Sequence, residues 1–401
     1  MSLKVLILSR IAGSYSTQRL KEACVRRGHS ARVLNTLNFS LLVERAQPRL
    51  YYRDRVLSRY DAAIPRIGAS VSSFGTAVVR QLEQMGVFTL NSAQAIGTSR
   101  DKLRAFQILS AHEIAFPPTA FVRDRESARS ALSQVGGAPV IIKLTEGSQG
   151  AGVILADTKK TAEAIVEAFL VARQDVIVQK FVSESRGHDL RALVVGDRVV
   201  AAMRRRAAPD EFRSNVHRGG RTERARLSPE LEALALKSAQ ILGLRVAGVD
   251  LIESDDGPLV LEVNSSPGLE GIESATGIDV AGEIVQHMEE QIQFPEIDLR
   301  QRLGAAPTHG TAELVVGPGS GLEQRTLAAL ELSSRKVLVL TVTRGARVVP
   351  TPGLDFQLLR GDRLLCFGPS DALRALMSTA ASEGAQSETP SDESWPLRAR
   401  Q

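Results

Sequence analysis

Apolar and polar residues follow two different periods along the first 95 positions of the chain. Short apolar runs predict buried strands, and stretches with one apolar face predict helices. The runs that predict strands are residues 3–9, 31–35, 61–65 and 87–91, and the helical stretches are residues 17–28 and 74–85. Strands that alternate with helices form a parallel sheet. We therefore predict an N-terminal α/β domain over residues 1–95.

Polar residues stand where two of these strands end. They are Ser9, Arg10, Arg66 and Gly68. Open α/β sheets bind ligands at this edge, but residues there also cap the helix that follows. The pattern leaves both interpretations open.

A glycine-rich turn separates two apolar runs in residues 138–156, APVIIKLTEGSQGAGVILA. Gly147, Gly150 and Gly152 permit the left-handed backbone that points successive N–H groups at an anion. Because a strand follows the glycines, the pattern predicts a flap over phosphates, whereas a P-loop would lead into a helix. Lys143, inside the first strand, is predicted to lie beneath this flap. An ordinary glycine hairpin with a solvent-reaching lysine is the alternative.

Elements on either side of the flap carry further candidate nucleotide contacts. Ser99–Glu113 predicts one helix, on which Lys102 is more simply a solvated lysine than a phosphate ligand. The apolar run VIVQKFV predicts a strand that forms one wall of an adenine pocket, with the backbone of Lys180 and Phe181 available to the base. Asp189, at the start of the next strand, could hold a ribose hydroxyl or cap a turn.

The strongest chemical pattern is a predicted hairpin in residues 246–268, VAGVDLIESDDGPLVLEVNSSPG. If its turn is symmetric about Asp256, Asp250 lies opposite Glu262, and Asn264 shares the face of Glu262. Two facing, half-buried carboxylates repel each other unless a cation neutralises them. Oxygen ligands suit Mg²⁺ or Mn²⁺, and Mg²⁺ completes its shell with phosphate and water. The pattern predicts a metal–nucleotide site, with a solvated edge hairpin as the alternative.

Composition excludes several classes of protein. The chain has 401 residues, of which 43% are hydrophobic, as in ordinary globular proteins, and the length predicts two or three domains. No apolar run approaches the roughly 20 residues of a membrane span. Cys24 and Cys366 lie far apart in the sequence and indicate neither a disulfide framework nor a metal knuckle. We expect a cytoplasmic protein that needs no membrane.

The positive charge of the chain is concentrated in residues 204–226. This segment holds eight arginines and three carboxylates, a net charge of +5 that equals the excess of the whole chain. Guanidinium groups bind phosphates and carboxylates through paired hydrogen bonds, and Arg204 and Arg205 are candidates for holding substrate carboxylates or an oxyanion. RNA binding is the competing interpretation, but Phe212 is the one aromatic residue in the segment.

The periodicity changes after the predicted terminal helix, Ile278–Phe294. Residues 291–310 predict a linker, and residues 96–290 before it predict one domain. Residues 311–380 predict a small α+β domain in the order strand, helix, strand, strand, short strand, helix. Residues 381–401 are rich in Ser, Glu and Pro, a composition typical of disordered tails.

Four of these motifs, KLTEGSQGAGV, DEFRSNVHRGG, VAGVDLI and LEVNSSPGLEGIE, resemble the ATP-grasp superfamily, and more narrowly the RimK family. RimK ligases add glutamate to the C-terminus of small-subunit ribosomal protein six. The resemblance covers about residues 1–290. It implies an N-terminal α/β domain and an ATP-grasp fold whose two α+β halves enclose ATP.

The resemblance implies a role for each matching position in this sequence. Lys143 would contact the phosphates, Lys180 and Phe181 would bind adenine through their backbone, and Asp189 would help to bind the nucleotide. Arg213, Ser214 and Asn215 would complete nucleotide binding, and Arg213 would also act in catalysis. Asp250, Glu262 and Asn264 would hold two divalent ions. Lys180 departs from the family pattern, in which an acidic residue is expected.

The reaction implied by the resemblance has two steps. A carboxylate takes the γ-phosphoryl group of ATP, and the amine of L-glutamate then displaces phosphate. The acceptor is left open: a ribosomal protein, a peptide, a poly-glutamate chain or a cofactor. The basic segment suits an acidic acceptor. A protein from another class, a nucleotide-sensing regulator that binds ATP without turnover, is the alternative function.

The C-terminal domain resembles the regulatory domain of TrkA-type potassium-uptake proteins. The run KVLVLTVTRGARVVPTPG and the turn at Gly361 and Asp362 carry this resemblance. It implies a small-molecule ligand and self-association into a homo-oligomer. A stabilising appendage without a ligand is the alternative.

Overall fold

A computed structural model describes residues 2–45, 48–144, 152–208, 211, 220–293, 309–345 and 347–380. The chain divides into two compact units, Met1–Pro295 and Glu296–Gln401. The division falls inside the segment that the sequence predicts as a linker. None of the described helices is both long and apolar enough to cross a bilayer.

The N-terminal part of the first unit is the predicted parallel sheet. Its strands and helices are β1 Lys4–Ser9, α1 Tyr15–Arg26, β2 Ser30–Leu34, β3 Phe39–Leu42, β4 Arg49–Tyr52, β5 Arg55–Val56, β6 Ala62–Arg66, α2 Ser72–Gln84 and β7 Phe88–Thr89. The sheet has the order β2-β1-β6-β7 with all pairs parallel, as predicted. Strands β3–β5 form a separate antiparallel sheet that the sequence analysis missed.

The helix predicted over Ser99–Glu113 is wrong at its start, because two helices divide this region. They are α3 Ala93–Arg100 and α4 Lys102–Ala111. The Asp101 carboxylate accepts a hydrogen bond from the backbone N–H of Arg104 at 3.0 Å. An aspartate at this position caps a new helix, so the chain turns between Arg100 and Lys102.

The next layer is an antiparallel sheet with two helices on one face. Its elements are β8 Thr119–Val122, α5 Arg125–Gln134, β9 Val140–Leu144, β10 Val153–Ala156, α6 Lys159–Val171 and β11 Val176–Lys180. The strand order is β10-β9-β11-β8. Alternate residues such as Val140 and Ile142 pack with both helices in one core, so Lys143 lies on the face without helices.

A five-stranded antiparallel sheet completes the first unit. Its elements are β12 His188–Val195, β13 Arg198–Arg206, β14 Arg221–Arg224, α7 Pro229–Ile241, β15 Val246–Ser254, β16 Gly257–Asn264, α8 Glu270–Thr276 and α9 Val280–Gln293. The order is β14-β13-β12-β15-β16. The mixed α/β and α+β architecture is therefore as predicted.

The first unit has a core shared by its N-terminal and C-terminal parts. Side chains of β1, β6 and α1 pack in one cluster with those of β12, β13, α8 and α9. The Asn91 side chain uses its whole hydrogen-bonding capacity here. Its amide nitrogen donates to the carbonyls of Val246 at 2.7 Å and Ser265 at 3.0 Å. Its oxygen accepts from the N–H groups of Arg245 at 2.9 Å and Val246 at 3.0 Å.

The second unit is a small antiparallel sheet with one described α-helix. Its elements are β17 His309–Val315, β18 Leu338–Arg344, β19 Arg347–Pro350, β20 Arg363–Pro369 and α10 Ser370–Ala380, in the sheet order β17-β20-β18-β19. The first predicted helix is wrong: a short 3₁₀ turn, Ala328–Leu330, stands there. Asp362 is fully buried and accepts two hydrogen bonds from Arg344.

Candidate active site

The hairpin of β15 and β16 places Asp250 directly opposite Glu262, which confirms the predicted pairing. The predicted symmetric turn is wrong, because Ser254 pairs with Gly257 in a two-residue turn. That register alone would set Asp250 opposite Leu261. A bulge between Asp250 and Leu251 shifts the register by one residue, so a local irregularity produces the pairing.

Glycine at position 248 lets the chain after β16 fold back against β15. Gly248 pairs with Asn264. A Cβ atom at Gly248 would lie 2.8 Å from the Cβ of Pro267, closer than two carbon atoms can approach. The absence of a side chain therefore allows the turn after Asn264 to lie against the strand that carries Asp250.

The two facing carboxylates differ in burial, whereas the sequence predicts both to be half-buried. Asp250 is buried and Glu262 is exposed. The burial of Asp250 is balanced by arginine. Arg191, opposite it on β12, donates from Nε to Oδ1 at 2.6 Å and from Nη2 to Oδ2 at 2.7 Å. Arg205 Nη2 lies 3.0 Å from Oδ2.

Arg205 joins this pair to Asp189. It is buried and donates from Nε and Nη2 to the two Asp189 oxygens, both at 2.6 Å. Burial lowers the pKa of Arg205, but Asp250 and Asp189 outweigh burial and raise it. Burial raises the pKa of Asp250, and Arg191 and Arg205 reverse this effect and lower it. The four side chains therefore form a buried, charged network.

The donor set fits a divalent cation that also binds phosphate. An ionised carboxylate has about four lone-pair sites, and the arginines use three of those on Asp250. One site on Oδ1 remains, beside the exposed Glu262 and the amide of Asn264. Within the described ranges, no group of three His, Cys, Asp or Glu side chains could hold a metal alone. Mg²⁺ needs only one or two carboxylates when phosphate supplies other ligands.

Two lysines lie beside these acids. Lys143 donates from Nζ to the Gln179 side chain at 2.7 Å. Burial and the nearby charge of Lys102 lower the pKa of Lys143, Glu262 and Asp250 act in the opposite direction, and the net pKa is about 8. Lys102 is half-buried and its Nζ donates to the carbonyl of Leu144 at 3.4 Å, so its interpretation as a solvated lysine is wrong. The cap at Asp101 is the sequence signal that would have turned Lys102 toward the flap.

The backbone at Lys180 and Phe181 has partners in the structure. The Lys180 N–H donates to the carbonyl of Pro118 at 2.9 Å, and the Phe181 N–H donates to the carbonyl of Pro139 at 3.2 Å. Adenine binding by these residues stays a prediction. Arg204, predicted to hold a substrate carboxylate, pairs with Glu253 at 3.0 Å.

Several predicted site residues lie outside the described part of the chain. They are Gly147 and Gly150 of the flap, and Arg213, Ser214 and Asn215 of the basic segment. Arg191 is a site residue that the sequence analysis did not assign. The sequence feature that could have identified Arg191 is its position two residues after Asp189, because residues two apart on a strand share one face.

Comparisons with known proteins identify the family. Residues 99–288 match the RimK-like ATP-grasp domain, residues 3–96 the RimK pre-ATP-grasp domain and residues 311–380 the TrkA-C domain. A relative from Rhodopirellula baltica, named a probable alpha-L-glutamate ligase, is 55% identical over 375 residues, which cover 94% of this chain and 93% of the relative. The chain belongs to the RimK family of ATP-grasp ligases. Both predicted resemblances, to RimK and to TrkA-C, are confirmed.

Solved structures agree on the fold of this RimK-family protein. A RimK domain ATP-grasp protein from Sphaerobacter thermophilus is 24% identical, with a TM-score of 0.55. The match covers 71% of this chain and 98% of the Sphaerobacter chain. The ATP-grasp ligase PsnB, solved with a precursor variant, Mg and ADP, is 22% identical with a TM-score of 0.57, and covers 73% of this chain and 99% of its own. The chain is thus an enzyme of the ligase class, and ATP-grasp ligases use ATP and divalent metals.

Lys143 should make nucleotide binding depend on pH. With a pKa of about 8, Lys143 is neutral in half of the molecules at pH 8. A bound triphosphate favours the charged form. Binding of Mg-ATP at pH 8 should therefore take up about half a proton, and affinity should fall as the pH rises further. Calorimetry in two buffers with different ionisation heats measures this uptake. Lys143→Met should abolish it, and equal heats for the wild type in both buffers would contradict the assignment.

Proposed function

We propose that this ligase joins L-glutamate to the C-terminal carboxylate of a protein or peptide acceptor, with ATP driving the reaction through an acyl phosphate. The observation that carries the proposal is the convergence of Asp250, Glu262 and Asn264 with Lys143 and Lys102. Oxygen ligands and lysines together suit a metal-bound triphosphate. The name of the Rhodopirellula baltica relative supports glutamate as the amino acid.

The residues of the chain have separate roles in this proposal. Asp250, Glu262 and Asn264 would hold Mg²⁺ or Mn²⁺, as two ions, which neutralise charge on the phosphates when bound. Lys143 would bind phosphate oxygens, and Lys180, Phe181 and Asp189 would bind adenosine. Arg213, Ser214 and Asn215 would complete the nucleotide site. Arg191 and Arg205 would fix the orientation of Asp250, since both donate to its carboxylate.

The chemistry requires that the acceptor carboxylate and the amine of glutamate are both held in position. The acceptor carboxylate attacks the γ-phosphoryl group, ADP leaves, and the amine then attacks the acyl phosphate and releases phosphate. Arg204, Arg205 and Arg213 stay our candidates for stabilising charge on substrate or intermediate. The net charge of residues 204–226 favours an acidic acceptor, such as small-subunit ribosomal protein six or poly-α-glutamate.

A direct assay tests the proposal. Protein incubated with ATP, Mg²⁺, L-glutamate and a glutamate-ended peptide should release ADP, and mass spectrometry should show the peptide gaining glutamyl residues. Omitting glutamate should reduce ADP release to background. A nucleotide-sensing regulator, the alternative function, would bind ATP and release no ADP under any of these conditions.

The C-terminal unit requires a separate test. We propose that residues 311–380 bind a small ligand and pair with a second copy, in keeping with their match to the TrkA-C domain. Light scattering should then give more copies per particle for the full chain than for a chain ending at residue 293. An equal number of copies per particle would leave the unit as an appendage.

A further inference from the structure

Two arginines lie where the parallel sheet meets the turn after β16. Arg66 ends β6 and pairs in register with Ser9, and Arg100 ends α3. Arg66 Nη1 donates to the carbonyl of Pro267 at 2.7 Å, and Arg100 Nη2 donates to the carbonyl of Ile67 at 2.6 Å. Both side chains are thus anchored by backbone carbonyls, with Pro267 only three residues from Asn264.

Neither guanidinium has a carboxylate partner among the described residues. Both are half-buried, and no ion pair joins either of them to an acid in those ranges. Arg100 Nε is buried and has no hydrogen-bond partner there. Burial and, to a smaller extent, the nearby charge of Arg100 lower the pKa of Arg66 to about 10. Two like charges held together in this way call for an anion.

Hydroxyl groups in the turn that Arg66 binds also have unused hydrogen-bonding capacity. Ser265 Oγ and Ser266 Oγ are buried without a partner in the described part of the chain. Both precede Pro267, the residue whose carbonyl Arg66 binds. Burial lowers the pKa of Arg100, and the charge of Glu262, a proposed metal ligand, opposes this effect. A small anion here would gain charge-assisted and hydroxyl hydrogen bonds together.

We propose that Arg66 and Arg100, with the hydroxyls of Ser265 and Ser266, form a subsite for a substrate carboxylate that is not activated. The inference rests on the proposed function and adds a substrate-binding role for the pre-ATP-grasp part of the chain. The carboxylate belongs either to the incoming glutamate or to a glutamyl side chain of the acceptor. The paired state of Arg204 and Arg205 supports the assignment, since Arg205 is held by two carboxylates and Arg204 by one.

Steady-state kinetics of Arg66→Gln and Arg100→Gln test the subsite. Loss of a charged hydrogen-bond donor should raise one KM by about 10- to 100-fold while the KM for ATP changes less than threefold. A rise confined to glutamate assigns the subsite to the amino acid, and a rise confined to the peptide assigns it to the acceptor. Arg66→Lys should recover part of the loss. Unchanged KM values for both substrates would overturn the proposal.

A matched control comes from Arg245. It is also half-buried with an unpartnered Nε in the described ranges, but its guanidinium stacks on Phe88 at 5.4 Å. Arg245→Gln should leave both carboxylate-substrate KM values unchanged. An equal rise in this variant would show a general effect of removing half-buried arginines and would also overturn the subsite.

A binding measurement keeps the subsite testable if the ligase reaction itself fails. L-Glutamate and tetraglutamate are added separately to wild type with a non-hydrolysable ATP analogue, and the melting temperature is recorded. At least one should raise it, and Arg66→Gln and Arg100→Gln should lose this rise. Without ligand, the melting temperature of each variant should fall by no more than about 2 °C, because removal of a repulsive charge offsets the lost hydrogen bond to a backbone carbonyl. No rise in wild type, or an equal rise in both variants, would contradict the subsite independently of turnover.

Discussion

Asp250→Asn should lower kcat for ADP formation by about 100- to 1,000-fold. The substitution keeps the size of the side chain but removes the charge that would neutralise a divalent ion against the triphosphate. Electrostatic contacts of this kind contribute about 3–4 kcal/mol or more to the transition state. The measurement is ADP release over a range of Mg²⁺ concentrations, since a weakened metal site should also need more metal.

The hairpin offers its own control for this prediction. Asp256 lies in the exposed turn of the same hairpin. Asp256→Asn makes the same chemical change a few residues away and should leave kcat within twofold of wild type. If Asp250→Asn kept more than a tenth of wild-type activity, the hairpin would not be the metal site. Circular dichroism of each variant separates loss of chemistry from loss of fold.

Arg205→Met should lower the free energy of unfolding by about 3–5 kcal/mol. The substitution removes the guanidinium that donates to both carboxylate oxygens of Asp189 at 2.6 Å, and it removes one of two arginines beside Asp250. Removing one partner of a buried ion pair costs this much because the other charge stays buried. Urea unfolding followed by circular dichroism measures the change.

A second substitution distinguishes an uncompensated charge from poor packing. Asp189→Leu combined with Arg205→Met replaces the pair by apolar side chains, an exchange that is often neutral or stabilising. We expect the double variant to recover at least half of the loss while ATP affinity stays low. A double variant as unstable as the sum of the two single variants would show that the pair is not coupled.

Much of the fold follows from local patterns, and the exceptions have local causes. The continuous apolar runs of β1 and β6 predict strands of a parallel sheet, and both strands are buried on both faces. Strands β3 to β5 are two to four residues long, too short to show a period. Asp101 divides a continuous helical pattern because a capping hydrogen bond outweighs propensity at one position.

The candidate site was predictable in its residue types and less so in its arrangement. The hairpin composition predicts Asp250 opposite Glu262, but the bulge that creates this register has no signature in the sequence. Whether a carboxylate meets an arginine depends on strand order, and the adjacency of β12 to β15 places Arg191 against Asp250. Lys102 faces the site because of a helix cap one residue earlier. Contacts between distant segments were therefore the part beyond sequence reasoning.

The four hydrogen bonds of Asn91 have a consequence for building chimaeric enzymes. This one amide binds the start of β15 and the residue after β16, so it holds the two strands together at the open end of the hairpin. An exchange of N-terminal segments between relatives would therefore transfer or destroy this clamp on the hairpin. A crossover point after residue 91 should fail more often than one before it, unless the donor segment also ends in asparagine.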